Sequence, residues 1–411
     1  MVQQVEVAVI GGGIVGCGVQ YCLARLGCSD TILLEKNELT SGSTWHAAGN
    51  TTFFGHYSSI TQLYVNSVRT YLAAEQETGQ SVSFHDAGSI RIANNQAELE
   101  SYRRLVPDYE KLGVPYEVIG PDRIEAIHPL IVTDGIVGAA YTPTDGHLDP
   151  SGATQALAKA ARNRGAEIKR HCPVLRLEQG DGGWLLHTAD DVIHARTVVL
   201  ASSFWSRELA HPIGLNLPVY AIKHQAIITD TLPVLESRDG EVPTIRDSYG
   251  QYNMRQEGNG LLGAVYEPDP TFWAVDGIPP DFNQELFNPE LDRLETDLVR
   301  MIERVPAFGE AGIKQIIHGP ICYTPDALPL LGPVESHPGL WLANGFCVGI
   351  GTGGGSADFL ANWMVNGKPP YDLPIVYPSR FSNDLTQSEC LASIAQIYER
   401  GYAISDATLP V

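Results

Sequence analysis

Hydrophobic and polar positions change period sharply near the N-terminus. Residues 5–10 form an apolar, β-branched run, which predicts a strand buried in a parallel sheet. Gly11, Gly13 and Gly16 follow as G-x-G-x-x-G. Apolar residues then recur at helical spacing, at Val15, Val19, Cys22, Leu23 and Leu26, until Gly27 closes the helix. The run inside DTILLEKNEL predicts a second strand with Glu35 at its C-terminal end. Strand, turn, helix and strand make a βαβ unit.

Three later segments repeat this kind of pattern. In DPSGATQALAKAARNRGAEIKRHCPVLRLE, Asp149 is placed to cap a helix that starts at Pro150, and a turn at Gly165 leads into a strand. VIHARTVVLASSFWSREL reads as a buried strand entering a turn. GLWLANGFCVGIGTGGGSADFLANWMVNG reads as a strand, a glycine-rich loop and a helix. Between these lie β-rich stretches without βαβ spacing. They include FHDAGSIRIA, YAIKHQAIITD and a hairpin, QYNMRQEGNGLLGAVYE, turning at Gly258, Asn259 and Gly260. The pattern therefore predicts an α/β fold. A discontinuous Rossmann-like domain spans residues 1–81, 143–215 and 321–380, and an inserted β-rich α+β substrate domain spans 82–142 and 216–320. Residues 381–411 form a tail with one helical stretch near 388–400.

Composition narrows the class of partner. The 411 residues hold 27 Lys and Arg against 48 Asp and Glu, a net charge of −21. Such a chain is not expected to bind nucleic acid or an anionic membrane surface, both of which attract basic patches. The seven cysteines are odd in number and show no CxxC spacing, so neither a disulfide framework nor a zinc site is expected, and no metal is required. No apolar run reaches the roughly 18 residues of a membrane span. The N-terminus enters a strand directly, without a signal-peptide pattern, so a cytoplasmic location is expected.

The glycine turn has the context that gives the motif meaning: a strand before it, a helix after it and an acidic residue about 20 positions on. Gly11 allows the tight turn, Gly13 lets a pyrophosphate approach the backbone, and Gly16 lets helix and strand pack closely. Glu35 would accept from a ribose 2′-OH and repel a 2′-phosphate, which disfavours NADP. NAD enzymes commonly continue the Rossmann pattern after the first half. This chain breaks instead into an aromatic turn and a β-rich insertion, and closes with the glycine-rich C-terminal segment. That order favours FAD, with the last helix N-terminus, near 353–357, aimed at the flavin ring.

The aromatic turn is SGSTWHAAGN, residues 41–50. Together with GQSVSFHDAGSIRIA, TDGHLDP, RQEGNGLL and GPICYTPDALPLLGP, its STWHAAG resembles the flavin domain of the dimethylglycine and sarcosine dehydrogenase/oxidase family, within the D-amino-acid-oxidase-like flavoproteins. The resemblance runs from about residue 5 to residue 380 or beyond. It implies that His46 carries FAD covalently, a neutral imidazole nitrogen being the nucleophile required. The implied cofactor site comprises Gly11, Gly13, Ile14, Val15, Gly16, Glu35, Lys36, Gly42, Ser43, Thr44, His46, Ala47, Ala48, Gly49, Val174, Trp205, Gly345, Phe346, Val348, Gly349 and Ile350. Monomeric sarcosine oxidases use a cysteine two residues before a tyrosine. Here Cys322 directly precedes Tyr323, and strand alternation turns it to the other face.

The resemblance also implies a histidine and a tyrosine near flavin N5, matched by His224 and Tyr252. Arg255 would suit a substrate carboxylate but reads equally as a structural ion pair, so it stays outside the catalytic set. Where many relatives read A-A-G-x-W, this chain has Ala201, Ser202, Ser203, Phe204 and Trp205. The expected activity is FAD-dependent oxidative N-demethylation of a small N-methylated amino acid. Hydride would pass from the N-methyl group to N5, and water would hydrolyse the iminium to formaldehyde. Oxygen or an electron-transfer protein would accept the electrons. Larger relatives continue into a folate-binding domain; this chain stops at Val411, so formaldehyde is expected to be released or handed to a separate protein. The alternatives are oxidation of another secondary or tertiary amine, and a non-catalytic regulatory paralogue.

Overall fold

The βαβ unit forms where its pattern lies. In a computed structural model describing residues 3–53 and 58–401, strand Gln3–Ile10 leads through the glycine turn into helix Ile14–Arg25 and on to strand Thr31–Leu34. The first strand is central because its last residues are apolar on both faces. It pairs in parallel with Thr31–Leu34 on one side and with Val192–Leu200 on the other. The parallel order extends to Glu167–Lys169 at one edge and Leu340–Asn344 at the other. Leu330–Pro333 and the hairpin Arg176–Gly180/Gly183–His187 complete an eight-stranded mixed sheet. Asp149 caps helix Pro150–Asn163 by accepting from Ser151 N–H.

The β-rich stretches build a second sheet of nine strands. Its long strand Tyr220–Thr229 runs antiparallel to Ile313–Tyr323, with His224 opposite Gly319. The hairpin Tyr252–Glu257/Gly260–Val265 closes on Gly258 and Asn259, since Glu257 pairs with Gly260. Gly258 takes a φ of +58°, which glycine adopts without strain. Helix Gln387–Arg400 starts at a capping box on Thr386 and Glu389. It packs Cys390, Ile394 and Tyr398 against Tyr220, Ile222 and Tyr323 of this sheet.

One expectation is corrected by the packing. GTGGGS is not a loop before a helix: the helix begins at Gly349 and runs to Asn366, with its N-terminus four residues before the expected 353–357. The glycines inside it make room for the crossing helix Thr61–Thr78. A Cβ on Gly355 would lie 2.0 Å from the Leu63 carbonyl oxygen, and one on Gly354 would lie 2.8 Å from the Tyr71 ring. Tyr71 O–H donates to the Ile350 carbonyl at 2.8 Å, and Gly354 N–H donates to Tyr71 at 2.9 Å, which ties the two helices together. The low helix propensity of glycine is offset here by close interhelical contact.

Candidate active site

A cavity of about 500 Å³ is lined from both sheets, in the size range of cofactor and ligand sites. Its floor is the glycine turn. Gly11 has a φ of +116°, and a Cβ on Gly16 would lie 1.9 Å from the Gly11 oxygen, so neither position accepts a side chain. Gly16 therefore serves close helix–strand packing and does not line the cavity. Thr44 Oγ1 accepts from Ile14 N–H at 3.2 Å. Glu35 accepts from Gly12 N–H at 2.7 Å and from Asn37 N–H at 2.8 Å. Burial raises its carboxyl above the ordinary value while those two hydrogen bonds hold it down. Lys36 donates to the Phe282 carbonyl at 3.1 Å, and its ammonium sits 4.5 Å from the centre of the Trp205 ring.

The turn 41–50 reaches across to the second sheet. Ser43 Oγ donates to the Pro320 carbonyl at 2.8 Å, and His46 packs over Gly319, where a Cβ would lie 2.8 Å from Cε1 and 3.0 Å from Nε2. Burial pushes the His46 imidazole down to about 4, so it is neutral at pH 7. Its Nε2 is buried without a hydrogen-bond partner. A buried ring nitrogen without a partner, on a cavity wall and over a glycine cradle, fits the group that the motif implies. The residues present would hold an extended dinucleotide: Gly11 to Val15 at its phosphates, Glu35 at a ribose and His46 at the far end.

His224 also lines the cavity. Its Nδ1 lies 2.9 Å from the Tyr398 hydroxyl, which donates to Glu267 Oε2 at 3.2 Å. Tyr398 has one proton and gives it to the carboxylate. It therefore accepts from His224 Nδ1–H, and Nε2 keeps the imidazole lone pair. Burial, with His46 and His318 nearby, pushes His224 down to about 4. Glu267 is 2% exposed and also accepts from Gln225 Nε2 at 3.1 Å, so the chain of bonds is anchored in the core.

Tyr252 is not brought to His224. It is fully buried in the core behind the sheet, with Ile245, Met254 and Met301, and does not line the cavity. Alternation along Tyr252–Glu257 turns Asn253 to the cavity instead. The tyrosines beside His224 are Tyr266, with ring centres 5.2 Å apart, and Tyr398, at 6.0 Å. Gly345 also lies outside the lining. It takes a φ of +72° against Thr324, and its neighbours Phe346, Val348, Gly349 and Ile350 do line the cavity, as do Gly42, Ala47, Ala48, Gly49, Val174 and Trp205.

Cys322 faces the core of the first sheet, its thiol pushed up to about 12 by burial, while Ile321 and Tyr323 face the cavity. Arg255 donates to the Ala48 carbonyl at 2.8 Å and pairs with Glu257 at 2.6 Å, which is a structural role. Ser203, at the glycine position of the A-A-G-x-W pattern of the resemblance, adopts a φ of +55°.

The sequence reading missed Arg91, Arg246, Asn253, Tyr266, Gly319 and Tyr398. Arg91 and Arg246 are 4% and 8% exposed, line the cavity, and stand in register on neighbouring parallel strands. A charged residue within an otherwise apolar strand, as in SIRIA and PTIRD, is the signal that was available.

Among the described residues, no helix is long and apolar enough to cross a membrane. Residues 6–363 match the FAD dependent oxidoreductase family. The mitochondrial dimethylglycine dehydrogenase of Mus musculus is 38% identical over 399 residues, covering 96% of this chain and 46% of that protein. The 4-methylaminobutanoate oxidase (formaldehyde-forming) of Paenarthrobacter nicotinovorans is 34% identical over 386 residues, covering 92% and 46%. The chain thus spans about half the length of these curated relatives. The crystal structure of L-proline dehydrogenase from P. horikoshii superimposes with a TM-score of 0.81 at 25% identity, covering 93% of this chain and 98% of that one. With the glycine turn, the cavity and the match over residues 6–363 in agreement, the chain belongs to the FAD-dependent oxidoreductases of this family.

Proposed function

We propose that this chain oxidises the N-methyl group of a small N-methylated amino acid, of the dimethylglycine or sarcosine type, with release of formaldehyde. The observation that carries the reading is His224, a neutral imidazole on the cavity wall whose Nδ1–H is committed to Tyr398. Its Nε2 lone pair would accept from the substrate ammonium and hold the amine unprotonated, the form that gives up electrons. Arg91 and Arg246 supply buried positive charge for the substrate carboxylate. Bound FAD would supply a two-electron acceptor, and His46 would anchor it covalently. The overall change, N–CH3 plus water to N–H plus formaldehyde, releases two electrons and two protons.

A second reading is oxidation of a cyclic secondary amine, supported by the likeness to L-proline dehydrogenase. Sarcosine, dimethylglycine, 4-methylaminobutanoate and proline, each tested with oxygen and with an artificial acceptor, separate the two. Formaldehyde in step with acceptor reduction is expected from an N-methyl substrate. Turnover of proline alone would replace the first reading with the second.

A further inference from the structure

Two segments that carry the family resemblance, FHDAG and TDGHLDP, have no part in the cavity chemistry, yet they meet. His85 and His147 form an isolated antiparallel bridge. His85 N–H donates to the His147 carbonyl at 2.8 Å, and His147 N–H donates back at 3.1 Å. Directly opposed residues of such a pair project to the same side. Their imidazoles are stacked, with centres 4.6 Å apart and planes inclined by 10°. Gly146 permits the approach, because a Cβ there would lie 2.0 Å from the His85 oxygen.

A third group closes the cluster. Glu241 places Oε1 2.7 Å from His85 Nδ1 and Oε2 2.9 Å from His147 Nε2. The three ligand atoms lie within 4.8 Å of one another. Tetrahedral zinc, with bonds of about 2.0–2.2 Å to nitrogen and oxygen, sets neighbouring donors roughly 3.3 Å apart. Imidazole lone pairs lie in the ring plane, so the stacked rings cannot meet one ion as they stand. One ring must turn about its side-chain bonds, and the more exposed His85 is the one with room to do so. His147 is 9% exposed at its side chain, Glu241 27% and His85 46%, so the inner ligand is held by the fold and the outer side is open to water as a fourth ligand.

We propose that His85, His147 and Glu241 form a three-ligand site, open at its fourth position, for one divalent late-transition-metal ion of the zinc class, distinct from the oxidative site. Two imidazoles and one carboxylate suit zinc, nickel or copper and not magnesium or calcium, which prefer all-oxygen shells. Arg255 lies near enough to act on both His147 and Glu241, and its charge is engaged by Glu257 at 2.6 Å. The ion would lock residues that brace the cavity wall. Thr51 N–H donates to the Gly146 carbonyl at 2.9 Å, Leu148 N–H donates to the Gly49 carbonyl at 3.0 Å, and Asn50 bridges His147. Those contacts back the turn that presents His46. Sequence spacing cannot reveal such a site, because Glu241 stands 156 and 94 residues from its two partners.

The test uses the flavin-loaded protein, freed of metal by a chelator and then titrated with zinc chloride by calorimetry and thermal melting. Wild type is expected to bind one tight equivalent and to melt at a higher temperature with zinc. His85→Ala and Glu241→Gln should each weaken that equivalent by more than the roughly 10–100-fold lost with an outer-shell partner, and should remove the thermal gain. Both should keep the wild-type rate of flavin reduction. His171→Ala, at a separate exposed His–Glu pair, should change nothing. His85 is the most exposed of the three, so its variant is the one least exposed to misfolding, and its metal-free melting temperature reports on that directly. Absence of a tight equivalent in wild type, or equal zinc affinity in both variants, would overturn the site.

Discussion

His46 lies over Gly319, in the space that any other residue at 319 would fill with a side chain, and Gly319 is the strand partner of His224. One glycine thus seats the candidate flavin anchor beside the candidate base. Gly319→Ala should push the His46 ring from its seat and cost about 1–3 kcal/mol by overpacking. We expect a folded protein with reduced flavin content, measured as the ratio of flavin to protein absorbance. Wild-type content would show that the ring moves aside freely.

Flavin should remain with the wild-type chain after denaturation and be lost from the His46→Ala chain. Fluorescence of the denatured band in a gel reads this directly. A fluorescent band in His46→Ala would transfer the anchor to another residue. The buried Cys322, with its raised thiol, is chemically unsuited to that role.

His224→Ala should slow flavin reduction by about 10²–10⁴-fold, the usual worth of a general base. Tyr398 is a positioning residue: Tyr398→Phe removes the acceptor for His224 Nδ1–H, so it should slow reduction less and shift its pH profile. Tyr252→Phe, behind the sheet, should leave reduction within a few-fold of wild type. Anaerobic stopped-flow across a pH series measures all three. A large defect in Tyr252→Phe alone would contradict the face on which the fold places it.

Gly355→Ala tests the helix crossing. In an open helix that change stabilises by about 1 kcal/mol. Here the new Cβ would meet the Leu63 carbonyl oxygen at 2.0 Å, and backbone cannot rotate away as a side chain can. We expect a net loss of about 1–3 kcal/mol, seen as a lower melting temperature. A rise would mean that the two helices separate without cost.

Acid should destabilise the fold. Burial holds His46 and His224 at about 4 and His128 at about 3, against an ordinary 6.5. Between those values the unfolded chain binds protons that the folded chain refuses, so stability falls as pH drops below 6.5. Asp145 opposes this. Raised from 3.8 to about 7 by burial, it keeps a proton when folded, and that contribution is lost as pH rises toward 7. Asp297, raised to about 6, and Glu35, raised above its ordinary value, act with Asp145. His147, lowered to about 4, and His318, lowered by burial, act with the other imidazoles. The lowered imidazoles outnumber the raised carboxyls. Melting temperatures should fall from pH 7 to 4.5, and His128→Gln should flatten the slope. A flat wild-type profile would show that these imidazoles titrate freely in the fold.

The sequence by itself determined the local elements and the cofactor class. Strand Gln3–Ile10, its glycine turn and helix Ile14–Arg25 are written in contiguous periods, because each is made by hydrogen bonds between near neighbours or by one buried face. The Asp149 cap and the Gly258 turn were legible for the same reason. His46 stood out through its motif, and Gly319 did not, since nothing near it in sequence says what must lie against it.

Tertiary structure alone decided the rest. His224 meets Tyr398 across 174 residues, and no local pattern encodes that meeting. Tyr252 was matched by motif to a place near flavin N5, and the fold puts it behind the sheet; alternation says only that 252 and 253 face opposite ways. Which face looks into the cavity is settled by the core of Ile245, Met254 and Met301 that the sheet must cover. GTGGGS looked like a loop because glycine is a poor helix former on its own. It is helix here because only a bare backbone lets Leu63 and Ser67 approach so closely, and the dispersion gained across that contact exists only after both helices have formed.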